Sequence, residues 1–436
     1  PMAHSQTPTK YYSGKLRCNG MPSQSLFANA ITLTSITVSS LLFGCTSTNK
    51  PANTLYIAYP LPENEFNRSL KERSESQIKI HTQLFKQTNP DTRVVTVAYK
   101  ANKMKKQITE DSRLNLGPDL IISDTLNLQL YYQDSLVSSF PSSPPWTQQY
   151  DDVIKGLSTI NEKLVGAPFA ITPQVACYNN KVVKQPPKTI QELVELGASG
   201  IRIGLATNPS DIFWTAGSTG AIQEISSLIT KQNKNKQPLK IKEWLTWLRQ
   251  AAYYQNISFY SNQSQLSNEL TSNNLDWISC SSFQASIIKE KMGEQLSITI
   301  LPNGVQTKAF TWPYITAFGL GTNSSPTQRS LALSYVKSNT NAVGQRQLML
   351  RDEVQLPANK NVDIPNESSK TLKALNDSWN EQSLSYLEEW PMIIQYLSTS
   401  QNYLDVKRTL AKLTSGVLSV DEAEQILINL AKEDNK

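Results

Sequence analysis

Cys45 carries the clearest chemistry in this sequence. Leu42-Phe43-Gly44-Cys45 closes an uncharged run that begins at Met21, and Lys10, Lys15 and Arg17 precede that run. A basic stretch, an apolar stretch and a small residue before the cut make a secretory leader. A cysteine placed directly after the cut is positioned to take a diacylglyceryl group on its thiol, and cleavage then frees its amine. The competing reading is a membrane-spanning helix. Thr32, Thr34, Ser35, Thr37, Ser39 and Ser40 weaken it, because spanning takes about 20 predominantly apolar residues. The pattern predicts a signal peptide over 1–44 and a lipidated tether over 45–51. The chain beyond them would hang by lipid from a membrane, outside the cytoplasm.

Little else in the chain suggests covalent or metal chemistry. Cys18 leaves with the leader, which leaves Cys177 and Cys280. Pairing is open to them in an oxidising compartment; both sit in apolar strand-like runs, and two separate buried thiols are the expectation. His4 lies in the leader, and His81 is the one histidine beyond it. No base or nucleophile pattern surrounds His81, so a surface or packing role is expected. One histidine and no Cys-x-x-Cys argue against zinc. There is no Gly-rich phosphate loop and no Gly-x-Ser-x-Gly, and nothing singles out a carboxylate pair for glycoside hydrolysis. The sequence therefore predicts no enzyme and no cofactor. The formal net charge is +6, half of it from the three cations before Cys45. What remains is too small to argue for nucleic acid.

At 436 residues the chain is too long for one ordinary domain, so two lobes are expected. Thr54–Ala58 reads as the first strand, Leu61–Glu75 as a polar loop, and Ser76–Gln87 as a helix with Ile78, Ile80, Leu84 and Phe85 on one face. Asn89-Pro90 ends it, and Arg93–Ala98 is the next strand. This strand–helix–strand unit predicts a mainly parallel sheet. Strands follow at 117–124, around Pro168 and Pro173, and at Ile201–Ala206, Leu275–Ser279 and Leu296–Leu301. Helices follow at Leu126–Ser135, Ile190–Leu196 capped by Thr189, Thr215–Thr230, Ile241–Tyr254, Thr327–Lys337 and Ala342–Met349. Ser138–Trp146 is loop, and the tail from Lys370 is helical.

Several of these landmarks resemble, in order, those of bacterial extracellular solute-binding proteins. They are Phe85–Val95 (FKQTNPDTRVV), Gly117-Pro118-Asp119-Leu120-Ile121, and Gly166-Ala167-Pro168 followed by Tyr178-Asn179-Asn180 and Pro187-Lys188-Thr189. Leu301-Pro302, Leu356-Pro357, and Thr414-Ser415-Gly416 with Ser419–Ala423 complete the set. The whole resembles the carbohydrate-type binding proteins of ABC importers, the maltose-binding-protein class. That resemblance implies an α/β, two-lobe periplasmic-binding-protein-like fold of type II, its lobes joined by crossover hinge strands. Lobe I would span 52–168 and 311–354, and lobe II 169–310 and 355–436. The hinge would lie near Pro168–Thr172, Phe310–Tyr314 and Gln355–Pro357. It further implies a monomer that captures a small solute, a sugar, oligosaccharide or sugar-derived compatible solute, and delivers it to permease subunits. Alternatives are the same fold holding ferric iron, a glycoside-active enzyme, or a scaffold.

A sugar site needs aromatic platforms for C–H faces and carboxylates, amides and hydroxyls for the rim. The resemblance places candidates at strand ends and crossovers. Asp124 and Thr125 end the GPDLIIS strand, where Asp124 equally suits a helix cap. Thr172 and Gln174 follow Pro168 in the crossover, and Thr172 stands where the family often has an acid. Asp211 and Trp214 follow Asn208-Pro209, with core packing as the alternative for the aromatic. Phe283 follows the Leu275–Ser279 strand. Trp312 and Tyr314 sit in a later crossover. Tyr403 falls near a stacking aromatic of the family, with helix packing the competing role.

Overall fold

The computed structural model describes residues 53–61, 67–142, 144–230, 239–312, 314–398 and 400–433. The leader, Cys45 and the tether lie outside the described residues. Fourteen strands are described among them: β1 Thr54–Leu61, β2 Arg93–Lys100, β3 Leu120–Asp124, β4 Val137–Ser138, β5 Thr159–Ile160, β6 Lys163–Leu164, β7 Ala167–Thr172, β8 Gln174–Asn179, β9 Ile203–Ala206, β10 Ile257–Tyr260, β11 Trp277–Ser281, β12 Leu296–Thr299, β13 Tyr314–Gly321 and β14 Leu356–Pro357. β5 and β6 form a small hairpin, and the others build two sheets.

The first sheet has the order β14-β7-β13-β3-β1-β2, with β4 also paired to β13. β1 is parallel to β2 and to β3, as the strand–helix–strand pattern predicts. Beyond β3 the expectation of a mainly parallel sheet is corrected, because β13 runs antiparallel to β3 and β7, and β14 antiparallel to β7. The cause is connectivity. β7 leaves this sheet at Thr172 and β13 enters it at Tyr314, and these two residues are register partners. One strand departs from the edge at which the other arrives, so the two must run in opposite directions.

The second sheet has the order β10-β9-β11-β8-β12. β9, β10 and β11 are parallel and end at the same edge, and β8 starts there, with Gln174 opposite Ser281. The passage between sheets falls at Pro173, between β7 and β8, so Ala170–Thr172 pair in the first sheet. A second passage lies between β12 and β13, and a third follows β14. A wide helical turn, Ser378–Ser383, ties these passages together. Ser378 Oγ donates to the Gln174 carbonyl (2.7 Å), Gln382 Nε2 to the Leu301 carbonyl (2.6 Å), and the Ser383 and Thr311 hydroxyls pair.

Packing follows the apolar periodicity. Helix Asn67–Lys86 starts earlier than Ser76 and buries Ile78, Leu84 and Phe85. The second core centres on Phe213, Trp214, Trp244, Leu248 and Trp277, all fully buried. The helix expected over Thr215–Thr230 is two helices, Pro209–Thr219 and Ala221–Ile229. Gly220 breaks it at φ +80°, a conformation that costs a residue with a Cβ. Gly217 lets the first of these helices press on the backbone of Phe310, whose nitrogen would lie 2.2 Å from an added Cβ. Cys177 and Cys280 are not separate thiols: a disulfide joins them, with Cα atoms 5.9 Å apart. Cys177 faces Ile278 and Cys280 faces Val175 across β8 and β11, so both sulfurs share one face, a placement set by strand register. No described helix is long and apolar enough to cross a membrane.

Candidate functional site

The strands of both sheets end at a common cleft of about 510 Å³. β1 delivers Tyr59 and Pro60 to it, β3 delivers Ser123 and Asp124, and β7 and β13 deliver Thr172, Tyr314 and Thr316. From the second sheet, β11 brings Ser281, and the segments after β9, β10 and β11 bring Asn208, Ser210 and Asp211, Asn262 to Ser264, and Phe283 and Gln284. This is the place where open α/β sheets hold ligands. The chemistry of the wall is amide, hydroxyl, carboxylate and aromatic, with no lysine or arginine among its described lining residues.

Asp124 does two things at once. Its Oδ1 accepts from the Asn127 backbone N–H (2.9 Å), which caps helix Thr125–Gln133, and the residue also lines the cleft. Burial pushes its carboxyl above the ordinary range, opposed by the bonds from Asn127. Thr125 is buried in the first turn and stays out of the lining.

Thr172 lines the cleft and donates from Oγ1 to the Tyr314 carbonyl at 3.3 Å. Gln174 is buried behind it. Its Nε2 donates to the Asp211 carbonyl (2.8 Å), so Gln174 positions Asp211 and stays out of the wall. Asp211 faces the cleft, and burial pushes its carboxyl up to about 6, against the stabilising pull of Asn208, the Gln263 backbone, Lys407 and Ser210.

The aromatic candidates divide. Phe283 and Tyr314 line the cleft. Phe283 is set there by helix Ser282–Met292, which Ser281 caps through Gln284 N at 3.2 Å. Trp214 is fully buried with its ring 6.3 Å from Trp277, so its place is the core. Trp312 packs edge-on against Phe310 and is outside the lining. Tyr403 stands just behind the wall, its hydroxyl 3.3 Å from Ser210 Oγ, and burial raises its phenol.

Sequence reasoning missed Tyr59, His81, Phe169, Asn208, Ser210 and the Asn262–Ser264 turn. Three of these, Asn208, Ser210 and the Asn262–Ser264 turn, follow strand ends. Reading Ile257–Tyr260 as a strand, on its alternation and β-branched and aromatic content, would have exposed the last of them. Among the described residues, no three His, Cys, Asp or Glu side chains gather as metal ligands.

Two α/β lobes with a polar, aromatic-lined cleft between their strand ends define a bilobal ligand-binding protein. The chain belongs to the bacterial extracellular solute-binding proteins, whose family model matches residues 81–375. Its fold is similar to that of the GacH receptor of Streptomyces glaucescens, described unliganded and with acarbose (TM-score 0.69, 13% identity, 87% of this chain and 98% of that one). It is also similar to a cyclo/maltodextrin-binding protein complexed with maltotetraose (0.65, 15%, 89% and 98%). A third likeness is to the maltose-maltodextrin binding protein of Alicyclobacillus acidocaldarius (0.67, 18%, 87% and 100%). No curated protein matches the chain in sequence.

Proposed function

We propose that this protein is the substrate-binding subunit of an ABC importer and that its solute is a sugar, oligosaccharide or sugar-derived compatible solute. The observation that carries this reading is the cleft wall: Asp124, Asp211 and Thr172 beside Phe283 and Tyr314, with no cation among the described lining residues. Carboxylates and hydroxyls match a sugar rim and aromatic rings match its C–H faces. The three structural neighbours, described with acarbose, with maltotetraose or as maltose-maltodextrin binders, support the same class.

The mechanism is capture without chemistry on the solute. A ligand that touches both walls at once binds the closed form better, so it shifts the population toward closure. The passages at Pro173, between Thr311 and Tyr314, and after Pro357 are the hinge in this reading. The closed form then docks as a monomer on permease subunits, while a lipid on Cys45 keeps the protein at the membrane. Cys45→Ala would release the protein into the soluble fraction of cells that process lipoproteins, and unchanged membrane retention would remove the anchor from the reading.

The reading is tested by thermal unfolding of the purified protein with maltose, maltotetraose, sugar–glycerol osmolytes, amino acids, polyamines and ferric iron. A ligand at a hundredfold excess over Kd stabilises by about 2.7 kcal/mol. A shift confined to one carbohydrate class names the solute. A shift with iron alone overturns the carbohydrate assignment.

A further inference from the structure

His81 belongs to the cleft as well as to the core. Helix Asn67–Lys86 carries it to the back of the cleft, where the imidazole is 2% exposed and lies edge-on to Phe169 (4.9 Å) and Phe318 (5.5 Å). Its Nδ1 sits 2.7 Å from Asn339 Oδ1. Asn339 is fully buried and held in one orientation, because its Nδ2 donates to the carbonyls of Tyr335 (2.8 Å) and His81 (3.1 Å). The oxygen left facing His81 only accepts, so Nδ1 carries the proton. A neutral imidazole has a single N–H, which makes Nε2 an acceptor. Burial pushes this imidazole down to about 4, with Asn339 opposing, so the neutral form holds near neutral pH. Among the described residues nothing donates to Nε2, and His81 forms part of the cleft wall.

We propose that His81 is a ligand-recognition residue whose Nε2 accepts a hydrogen bond from a hydroxyl of an uncharged saccharide. The proposal rests on the carbohydrate reading of the cleft. Phe169, Ile78 and Ile122 border the same part of the wall. An ammonium donor would lose its hydration against those apolar groups, whereas a sugar offers C–H surface to them and a neutral O–H to the nitrogen. A solute without a donor at that point leaves Nε2 unpaired and is rejected.

The test uses the full chain carrying His4→Gln, which leaves His81 as the one histidine. Long-range nitrogen–proton correlation at pH 7 reads the tautomer, and calorimetry in the same buffer reads binding of maltotetraose, maltose and glucosylglycerol. The expected result is a protonated Nδ1 and an unprotonated Nε2, with the Nε2 resonance moving on saturation by a saccharide that gives heat while Nδ1 stays put. His81→Phe, which keeps an aromatic ring between Phe169 and Phe318, is expected to weaken that saccharide roughly tenfold. A proton on Nε2, or heat of binding with an unmoved Nε2 resonance, overturns the proposal and leaves the carbohydrate reading intact. No heat from any of the three saccharides overturns the carbohydrate reading, and the hydroxyl donor assigned to His81 goes with it.

Discussion

Phe283 and Trp214 follow second-lobe strands in the same way and end in opposite surroundings. Trp214 has its whole ring inside the second core, whereas Phe283 stands in the cleft wall. The difference lies in how far each residue sits beyond its strand end. Phe283 falls two residues after β11, while Trp214 falls eight residues after β9, on a helix whose inner face it supplies. Trp214→Ala is expected to cost about 3–5 kcal/mol of stability through the cavity it leaves. Phe283→Ala should cost about 1 kcal/mol or less and weaken saccharide binding roughly tenfold. Denaturant unfolding and calorimetry on the two variants separate these roles. Asp124 shows how a residue-level reading stays ambiguous in sequence: cap and cleft wall are the same carboxylate, so neither signal excludes the other. Thr172 and Gln174 are two positions apart, yet one faces the cleft and the other lies buried behind it, an outcome that depends on which side of Pro173 each falls.

Elements whose apolar pattern is local were legible, and those defined by the other lobe were not. β1, β2 and the helix between them follow from alternation and from Asn89-Pro90. β13 was passed over because its pairing partners, β3 and β7, lie about 140 residues or more earlier. Helix Gln263–Thr271 was missed because it is polar, with only Leu266 and Leu270 as large inward anchors. The disulfide belongs to this scale as well, since it depends on the register of β8 against β11 across a sequence separation of 103. Closing so long a loop is expected to contribute about 2–5 kcal/mol. Replacing both Cys177 and Cys280 by alanine should lower the denaturation midpoint accordingly. A reductant should leave the folded wild type unchanged until it opens, because both sulfurs are fully buried. Wild type unfolded in reductant and the double variant in buffer should then share one midpoint, and a wild-type midpoint indifferent to reductant would argue that the bond does not form.

At the scale of the whole molecule, His81 from the first lobe and Asp211 from the second both line the cleft with displaced pKa values, and these two act on stability in opposite directions. Burial holds His81 in the first lobe at about 4, below its ordinary 6.5. The unfolded chain therefore binds the proton first as pH falls, so the contribution of His81 is complete above pH 6.5 and is lost between 6.5 and 4. At 1.36 kcal/mol per pH unit this amounts to about 3 kcal/mol. Asp211 in the second lobe is raised from 3.8 to about 6. Here the folded chain binds the proton first, so its contribution is complete below pH 3.8 and is lost as pH rises to 6. Partial exposure keeps it nearer about 2 kcal/mol. Between pH 4 and 6 the two terms largely offset each other, and single variants unmask them. Relative to wild type, Asp211→Asn should become progressively more stable as pH rises from 4 to 6, because it removes the cost of ionising a buried carboxyl. Relative to wild type, His81→Gln should lose ground over the same interval, because the wild type regains there what its buried neutral imidazole forfeits in acid. Urea unfolding of the three proteins at half-unit pH steps reads both differences. Parallel curves would mean that neither group is held away from its ordinary pKa by the closed packing around the cleft. A bound saccharide should flatten the Asp211 term, since a hydroxyl donating to that carboxylate favours the ionised form and draws its pKa back toward the ordinary value.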